Sequence, residues 1–489
     1  MVRELPGGLG KIMPRVDHAS WDRLFAQSAA TGRTLQARLR EMVVAAVNEG
    51  WLTPENPLPS SRELAETLGV ARNTVLLAYQ QLVDEEVLEA RERSGYFVRP
   101  EARRTRMAPG AAAVEAVAAP DWDRWLAIRP AAQRNLVKPR DWQSYPYPFL
   151  YGQFDPNLFP TNDWRECARQ ALSVLEIRGW APDLIGSDDS ELVEQIRTRL
   201  LPRRGIWATA DEIMVTLGAQ QALYLLAELL VRPGMAVGME EPGYPDARNI
   251  FALKGARLRA LPLDEGGLMP DAIPDECRLL FVTPMRQCPT GAIMPLERRQ
   301  RLIRRAADQG QLIIEDDYES NFGFAMDGPP PTLRSLERSG RVLYVGSLSK
   351  TLAPGLRVGY VVAPPAVISE LQALRRLMLR HGPGNNQRAV ALFLALGHHD
   401  KLLRRFAIVL RERAAAMRDA LARHLPECSW SCGDGGSSFW VRGPEGLDSR
   451  ALAERAQAAG VLIEPGDVFF QSATPPLHCL RLGFASIPS

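Results

Sequence analysis

Short apolar segments alternate with segments of helical periodicity through residues 146–489 of this 489-residue chain. Strand character is predicted at 212–216, 236–240, 279–283, 312–316, 342–346 and 359–363. Because neighbouring parallel strands need a long crossover connection, usually a helix, this alternation predicts an α/β domain with a mostly parallel sheet. Helices are expected to cover both faces of that sheet.

The chain before this region divides into two further parts. Residues 30–100 combine short helical patterns with a hairpin-like stretch, which predicts a small separate domain. Residues 101–145 change from a charged run to an Ala-, Pro- and Gly-rich stretch and then to a mixture of Trp, Tyr and Pro. That composition is typical of a linker, part of which is expected to dock on the large domain, 146–489.

Three helices are predicted in the small domain, and the first of them spans 34–49. Its apolar stripe comprises Leu35, Leu39, Met42, Val43 and Ala46. The second begins at Ser60, which fits a capping box with Glu63, and Gly69 is suited to end it in a left-handed conformation. The third spans 72–85. Its inner stripe comprises Val75, Ala78, Tyr79 and Leu82.

The third helix begins with polar residues, as a recognition helix does where it enters the major groove of DNA. Arg72 and, from the second helix, Arg62 can reach phosphates or guanine edges. Asn73 can pair with adenine, and Thr74 can contact a phosphate or a thymine methyl group. Each residue alone is more typical of a solvated helix face, so the prediction of DNA contact depends on the whole pattern.

A small β-wing is predicted after the third helix. Segments 87–91 and 96–99 can pair across a turn that contains Gly95. From 34 to 98 the order of motifs resembles the winged helix-turn-helix of GntR-type bacterial transcription factors, which implies a DNA contact at Gly95 as well. Ala71 departs from that family, where Ser is a common helix cap, and loss of such a cap typically costs about 1 kcal/mol.

One lysine of the large domain lies in a pattern that suits covalent chemistry. Lys350 follows a predicted strand and a run of small hydroxyl residues. A lysine amine can form a Schiff base with an aldehyde cofactor. Ser347, Ser349 and Arg357 can neutralise and hydrogen-bond the phosphate of such a cofactor. The alternative is a surface lysine beside a serine-rich turn.

Two further segments favour a ligand site. Asp316, Asp317 and Tyr318 lie at the end of a predicted strand, where α/β folds bind ligands. One of the two acids can hold a protonated pyridine nitrogen, and Tyr318 can donate to a ring hydroxyl. Ala219 and Gln220 begin a helix after a strand, where free backbone N–H groups can bind phosphate. Each segment alone is weak evidence, because adjacent acids are usually solvated and every crossover unit has such a turn.

Tyr244 and Arg481 complete the set of candidates. Tyr244 can lie over an aromatic ring, although alone it marks a Pro-rich turn. Arg481 is a cation between apolar residues, suited to a carboxylate or another anion, and a structural ion pair is the alternative. In this order, the segments resemble the fold-type I aminotransferase family, which uses pyridoxal 5′-phosphate (PLP). The resemblance covers about 151–489.

The resemblance implies a role for each residue. Lys350 is the Schiff-base lysine, Asp316 pairs with the pyridine nitrogen, and Tyr318 contacts the ring oxygen. Tyr244 is expected to stack on the ring, and Arg481 to take the acidic group of the ligand. The implied phosphate cradle comprises Ala219, Gln220, Ser347, Ser349 and Arg357.

The sequence departs from the aminotransferase pattern in three places. Cys288 stands where aminotransferases usually have an Asn that touches the cofactor. Met285 and Arg286 stand where related regulators often have Ser-His, and Arg286 is expected to add a second contact to an anionic effector. The first two departures put in doubt whether the pocket is tuned for turnover. The family also usually continues into a final helix beyond the point that corresponds to Ser489.

A GntR-like winged helix, a linker and a PLP-dependent domain together resemble the MocR/GabR subfamily of bacterial regulators. Segment 380–388 is most similar to the branch tied to taurine or ectoine catabolism. The resemblance implies a homodimer in which each DNA-binding domain rests on the other subunit, on double-stranded promoter DNA. It also implies that an amine or amino-acid effector forms an external aldimine with PLP, displaces Lys350 and changes promoter binding.

Two alternatives remain open from the residues. The Lys, the Asp and the phosphate cradle also suit a PLP-dependent aminotransferase with an appended DNA-binding domain. A relic of the fold that binds DNA without a cofactor is the other possibility. Keto-acid turnover would distinguish the enzyme from the regulator, and an absorption spectrum would distinguish the relic.

Charge and cysteine usage restrict the remaining classes. A formal net charge of +2 means that any DNA-binding surface is local. The six cysteines lack zinc spacing, which predicts reduced thiols and no metal site. The chain has neither a leader pattern nor an apolar run approaching about 18 residues, so we expect a cytoplasmic protein without a membrane span.

Overall fold

The computed structural model describes residues 21, 24–25, 34–92, 94–100, 120–153, 155–319, 330–433 and 435–487. The chain forms two compact units, Met1–Asp123 and Arg124–Ser489. Residues 30–33 of the predicted small domain and 101–119 of the predicted linker lie outside the described residues.

The first unit contains the three helices and the hairpin that the sequence predicts. Its elements are α1 (Leu35–Asn48), α2 (Ser61–Leu68), α3 (Arg72–Asp84), β1 (Leu88–Arg91) and β2 (Gly95–Val98). The two strands pair antiparallel, with Arg91 opposite Gly95. The order of three helices followed by a β-hairpin is that of a winged helix-turn-helix.

The helix ends of this unit follow the predicted capping chemistry. Ser60 and Glu63 form a complete capping box at the start of α2, and Gly69 ends that helix at a φ of 62°. Ala71 precedes α3 and makes no side-chain hydrogen bond to it. The predicted weak cap is therefore confirmed.

The core of the unit lies between the three helices. The predicted inner stripe of α3 is buried, and so are four of the five residues of the α1 stripe. Leu35 is the exception, since it remains 47 % exposed. It is the first residue of α1, and helical side chains point back towards the N-terminus, so it extends past the packed part of the helix.

The second unit is larger. The short helix α4 (Trp122–Trp125) includes the last two residues of the first unit and the first two of the second. Its further helices are α5 (Thr161–Ala171), α6 (Val174–Trp180), α7 (Ser190–Gln195), α8 (Gly218–Leu230), α9 (Pro245–Leu253), α10 (Leu296–Asp308), α11 (Leu333–Leu336), α12 (Pro365–Leu379), α13 (Gly384–Ala395), α14 (His398–His424) and α15 (Ser449–Ala458). Its strands are β3 (Tyr147–Pro148), β4 (Ile213–Thr216), β5 (Ala236–Glu241), β6 (Arg257–Asp264), β7 (Gly267–Leu268), β8 (Leu279–Val282), β9 (Leu312–Asp317), β10 (Val342–Ser347), β11 (Gly359–Val362), β12 (Ser429–Ser431), β13 (Ser438–Arg442), β14 (Val461–Leu462), β15 (Glu464–Pro465) and β16 (Cys479–Gly483).

The main sheet has eight strands in the order β4-β11-β10-β9-β8-β5-β6-β7. Neighbours from β10 to β6 pair parallel, whereas β11 runs antiparallel to both β10 and β4, and β7 antiparallel to β6. The predicted α/β domain with a mostly parallel sheet is confirmed. All six predicted strands are present, each boundary within one residue.

A second sheet of four antiparallel strands has the order β12-β13-β16-β15. The sequence pattern did not predict these short strands. The strand β3 pairs parallel with β14, and Phe149 N donates to the Leu462 carbonyl at 2.8 Å. The chain just after the predicted linker therefore pairs with β14, the strand that directly precedes β15.

Candidate functional site

A cavity of about 280 Å³ opens where the parallel strands of the main sheet end. Its lining includes every residue predicted to hold PLP, together with Arg481. These residues are Ala219, Gln220, Tyr244, Asp316, Tyr318, Ser347, Ser349, Lys350 and Arg357. The carboxyl edge of an open α/β sheet is the expected place for a ligand.

Lys350 lies just beyond β10, which brings its amine to the cavity. The turn after this strand is held by Leu348 N, which donates to the Val358 carbonyl at 3.0 Å. The Lys350 Nζ lies 4.2 Å from the centre of the Tyr151 ring. Burial lowers the pKa of Lys350 to about 8, so about a tenth of this amine is neutral and nucleophilic at pH 7, far more than for an ordinary lysine.

The two consecutive carboxyls that end β9 have different surroundings. Successive strand residues face opposite sides of a sheet. Asp317 accepts from Arg204 Nε at 2.8 Å and from the Tyr344 hydroxyl at 2.7 Å. Asp316 lines the cavity, and its Oδ1 is buried without a hydrogen-bond partner among the described residues.

The unpartnered oxygen of Asp316 is a test of whether PLP fits. Burial, and then the nearby Asp317, raise the pKa of Asp316 to about 8. A buried carboxyl without a partner is unfavourable unless a donor approaches it. A protonated pyridine nitrogen is such a donor, so the chemistry of this position fits the cofactor.

The phosphate end of the cavity also has free donors. The helix α8 begins at Gly218, so Ala219 and Gln220 lie in its first turn, where backbone N–H groups lack helical acceptors. The Ser349 hydroxyl is buried and unpartnered within the described residues. Arg357 is exposed and holds its Nη2 at 2.7 Å from the Leu217 carbonyl. This arrangement suits a dianionic phosphate.

Tyr244 directly precedes α9, and its hydroxyl is held by two side chains. That hydroxyl lies 2.9 Å from Gln220 Oε1 and 3.1 Å from Asp246 Oδ2. Tyr318 lies edge-on to Tyr151, and the two ring centres are 6.4 Å apart. Burial raises the pKa of both Tyr244 and Tyr318 well above the ordinary value, so both keep their protons.

Arg481 forms the ion pair that the sequence allowed as one alternative, and it also lines the cavity. Its Nε donates to Glu464 Oε2 at 2.7 Å, and the guanidinium also lines the cavity. The guanidinium carbon lies 4.1 Å from the centre of the Tyr151 ring, and Nη1 lies 4.0 Å from Cys288 Sγ. A buried ion pair thus holds a cation in the cavity wall.

Sequence reasoning missed several residues of this site. Tyr151, Glu464 and Leu136 line the cavity, and Gly152 makes room for the lysine. A Cβ built on Gly152, which has a φ of 71°, would lie 2.1 Å from Lys350 Nζ. No local pattern distinguishes these residues, because they approach only through the pairing of β3 and β14 and through the second sheet.

Arg286 does not line the cavity, although it was expected to contact the effector. It is 2 % exposed, and its Nη1 donates to the Glu319 carbonyl at 2.6 Å. Glu319 in turn accepts from the Tyr151 hydroxyl at 2.8 Å. Arg286 therefore supports the backbone behind the site.

The residues predicted to contact DNA lie together on the winged helix. Arg62, Arg72 and Asn73 are exposed, and Thr74 is partly exposed. Arg72 Nε lies 3.4 Å from the Ser61 hydroxyl, which links the start of α3 to α2. Gly95 begins β2 at a φ of 101° with open space around it.

Three expected absences concern the described part of the chain. None of its helices is both long and apolar enough to cross a membrane. No group of three His, Cys, Asp or Glu side chains there is placed to hold a metal ion. All six cysteines are described, and all are free thiols.

The fold and the cavity define a class of protein in which a winged helix is joined to an aminotransferase-like domain that binds PLP. The sequence profile of bacterial regulatory proteins of the gntR family matches residues 35–98. The profile of aminotransferase class I and II matches residues 158–489.

Relatives agree over nearly the whole chain. The HTH-type transcriptional regulator TauR of Rhodobacter capsulatus is 44 % identical over 457 residues, 93 % of each chain. The probable rhizopine catabolism regulatory protein MocR of Rhizobium meliloti is 33 % identical, covering 93 % of this chain and 90 % of its own.

A solved structure, LysN, an α-aminoadipate aminotransferase of Thermus thermophilus complexed with N-(5'-phosphopyridoxyl)-L-leucine, is 30 % identical with a TM-score of 0.66. The similarity covers 74 % of this chain and 93 % of that one. The chain belongs to the MocR-type GntR regulators, whose aminotransferase-like domain uses PLP as its cofactor.

Proposed function

We propose that this regulator senses an amine effector with an anionic end and changes its binding to promoter DNA when that effector occupies the PLP cavity. One observation carries the proposal: Lys350 and Arg481 both contact the ring of Tyr151, at 4.2 and 4.1 Å. A reactive amine and a fixed guanidinium that share one aromatic ring suit a small molecule with an amine at one end and an anion at the other.

PLP, when bound, supplies an aldehyde that condenses reversibly with primary amines. The chain's residues determine which amine is accepted. Asp316 accepts a hydrogen bond from the pyridine nitrogen, and Ser349 with Arg357 holds the phosphate. Arg481, oriented by Glu464, holds the anionic end of the effector.

Lys350 is the residue that changes state. It would hold PLP when the cofactor is bound, and its pKa, lowered to about 8 by burial, would let its amine hold or give up a proton near neutral pH when an effector amine competes for the aldehyde. Effector binding alters DNA affinity only if it favours one arrangement of the chain energetically over another.

The proposal includes a DNA partner and the homodimer with exchanged DNA-binding domains that the family resemblance implies. Arg62, Arg72, Asn73, Thr74 and Gly95 provide the DNA contacts. Val174 and Leu175 of α6 are 72 % and 77 % exposed and are apolar surface that a second copy would bury. The regulator acts in the cytoplasm, where its DNA is.

Gel-shift titration of the full-length PLP-loaded protein on its own promoter region tests the proposal. Taurine, 2,4-diaminobutyrate and γ-aminobutyrate are the amines to add. The wild type is expected to change its DNA affinity with at least one of them, while Lys350→Ala binds DNA but ignores all three. Lys401→Ala, an exposed lysine paired with Asp163, is the matched control. A full response from Lys350→Ala would refute the proposal.

An assay for keto-acid product in the same samples addresses the enzyme alternative. A regulator is expected to release at most about one product per site. Sustained catalytic cycling would instead identify an aminotransferase with an appended DNA-binding domain.

A further inference from the structure

A segment that precedes the large sheet forms part of the cavity wall. Leu136 lines the cavity and is half-buried. It packs on the apolar cluster that contains Cys288, Val468 and Phe469. The next residue, Val137, is 89 % exposed and does not line the cavity. One side chain of this segment therefore faces the ligand space while its neighbour faces solvent.

Hydrogen bonds fix the segment at this position. The Arg134 carbonyl accepts from Arg248 Nη2 and from Asn249 Nδ2, each at 2.9 Å. Arg248 also donates through Nη1 to the Val468 carbonyl at 2.7 Å. The backbone next to Leu136 is thus tied to both α9 and the loop before β16.

A second connection leads from the segment to the predicted ring contact. The Asn135 amide donates to Asp246 Oδ1, and the Tyr244 hydroxyl lies 3.1 Å from the other oxygen of that carboxylate. Asn135, the residue before Leu136, and Tyr244 therefore bind the same carboxylate, that of Asp246.

Leu136 belongs to the part of the cavity lining that surrounds Cys288. The Cys288 Sγ lies 4.0 Å from Nη1 of Arg481, the cation proposed to hold the anionic end of the effector, and Tyr244 and Tyr318 pack on the same apolar cluster as Leu136. We propose that Leu136 forms part of the outer wall of the cavity and determines how large an amine the cavity admits.

This inference rests on the proposed function and extends it. Residues 134–137 belong to the stretch of sequence, 101–145, that joins the two domains.

Two carbonyl reagents of different size test the wall without knowledge of the natural effector. Hydroxylamine is small and phenylhydrazine is large, and both compete with Lys350 for the aldehyde of PLP in the full-length loaded protein. Their rates are read from the absorption of the cofactor. Leu136→Ala is expected to raise the phenylhydrazine rate about fivefold, as loss of several buried methylene groups suggests, and the hydroxylamine rate less.

Leu136→Trp is expected to lower the phenylhydrazine rate while the hydroxylamine rate changes little. Val137→Ala is the matched control and leaves both rates unchanged. If Leu136→Ala and Leu136→Trp both match Val137→Ala with both reagents, Leu136 is not the wall. These rates do not depend on DNA, so a wild type whose promoter binding ignores every amine would overturn the proposed function separately.

Discussion

The cofactor cavity and the face of the winged helix that we propose to contact DNA carry their charges in opposite surroundings. In the cavity, burial shifts the pKa of Lys350 downward and that of Asp316 upward, both to about 8. On the winged helix, Arg62 and Arg72 are exposed. Because burial strengthens electrostatics and exposure screens it, changes in the cavity should alter chemistry, and changes on the helix should alter affinity in a salt-dependent way.

The largest effect is expected from Gly152→Ala, because the added methyl would lie 2.1 Å from Lys350 Nζ and the new residue would have to adopt a φ of 71°. The lysine amine is the far end of a flexible side chain and can shift, so the strained backbone is the larger cost, and we expect PLP retention to fall by about thirtyfold. Absorption of the purified protein after dialysis measures it. Gly355→Ala, at a position with open space, is the control and should retain the cofactor. Equal retention in both variants would contradict the geometry.

The rate of PLP capture by the cofactor-free protein should depend on pH through Lys350. Only the neutral amine attacks the aldehyde, and burial lowers the pKa of this lysine to about 8. Below pH 8 the neutral fraction falls about tenfold for each pH unit, so capture should rise steeply from pH 6 to 8 and level off above about pH 9. Stopped-flow absorption measures the rate. A rise that continues to about pH 10.5 would indicate an ordinary lysine.

Arg72→Ala should weaken DNA binding by about tenfold, since one charge-assisted contact is lost at the start of α3. If the contact is to phosphate, the salt dependence should lose about one counterion. The cofactor spectrum should not change. Arg455→Ala removes the same charge from α15 and should leave the affinity for DNA and its salt dependence unchanged. Equal losses of affinity in the two variants would show that the net charge of the protein, and not a contact of Arg72, is responsible.

The smallest effect concerns the cap of α3. Ala71 makes no side-chain hydrogen bond, whereas its backbone already has the extended conformation of a helix cap. Ala71→Ser should stabilise α3 by about 1 kcal/mol. The amides of α3 should then be protected from hydrogen exchange about fivefold more strongly, which is the measurement. Ser60→Ala, which removes the existing cap of α2, should have the opposite sign on that helix. An unchanged α3 in Ala71→Ser would show that the cap position is not limiting.

Local patterns predicted the winged helix and the edge of the sheet where the ligand site lies. The capping box of Ser60 and the left-handed Gly69 depend only on neighbours in sequence, and both are present as predicted. Strand residues 312–316 and 342–346 end in Asp316 and in the turn to Lys350, because parallel strands all finish at one edge. Leu35 was misassigned because periodicity does not show where a helix stops packing.

The second half of the cavity was not predictable in this way. Leu136, Tyr151 and Glu464 come from a docked segment, a residue after β3 and a strand of the second sheet. Arg286 illustrates the converse, since a cation predicted to contact the effector donates instead to the backbone carbonyl of Glu319. Which neighbour faces a cavity depends on how separate elements pack.

The sequence by itself determined the chemistry that this protein can perform: one lysine after a strand, one pair of acids at a strand end, and one recognition helix. Only the tertiary structure decided which acid faces the cavity, since Asp317 is bonded to Arg204 while Asp316 lines the cavity, and which other side chains complete its wall. The physical reason is range: capping and periodicity act over a few residues, whereas a cavity wall is made by groups hundreds of residues apart.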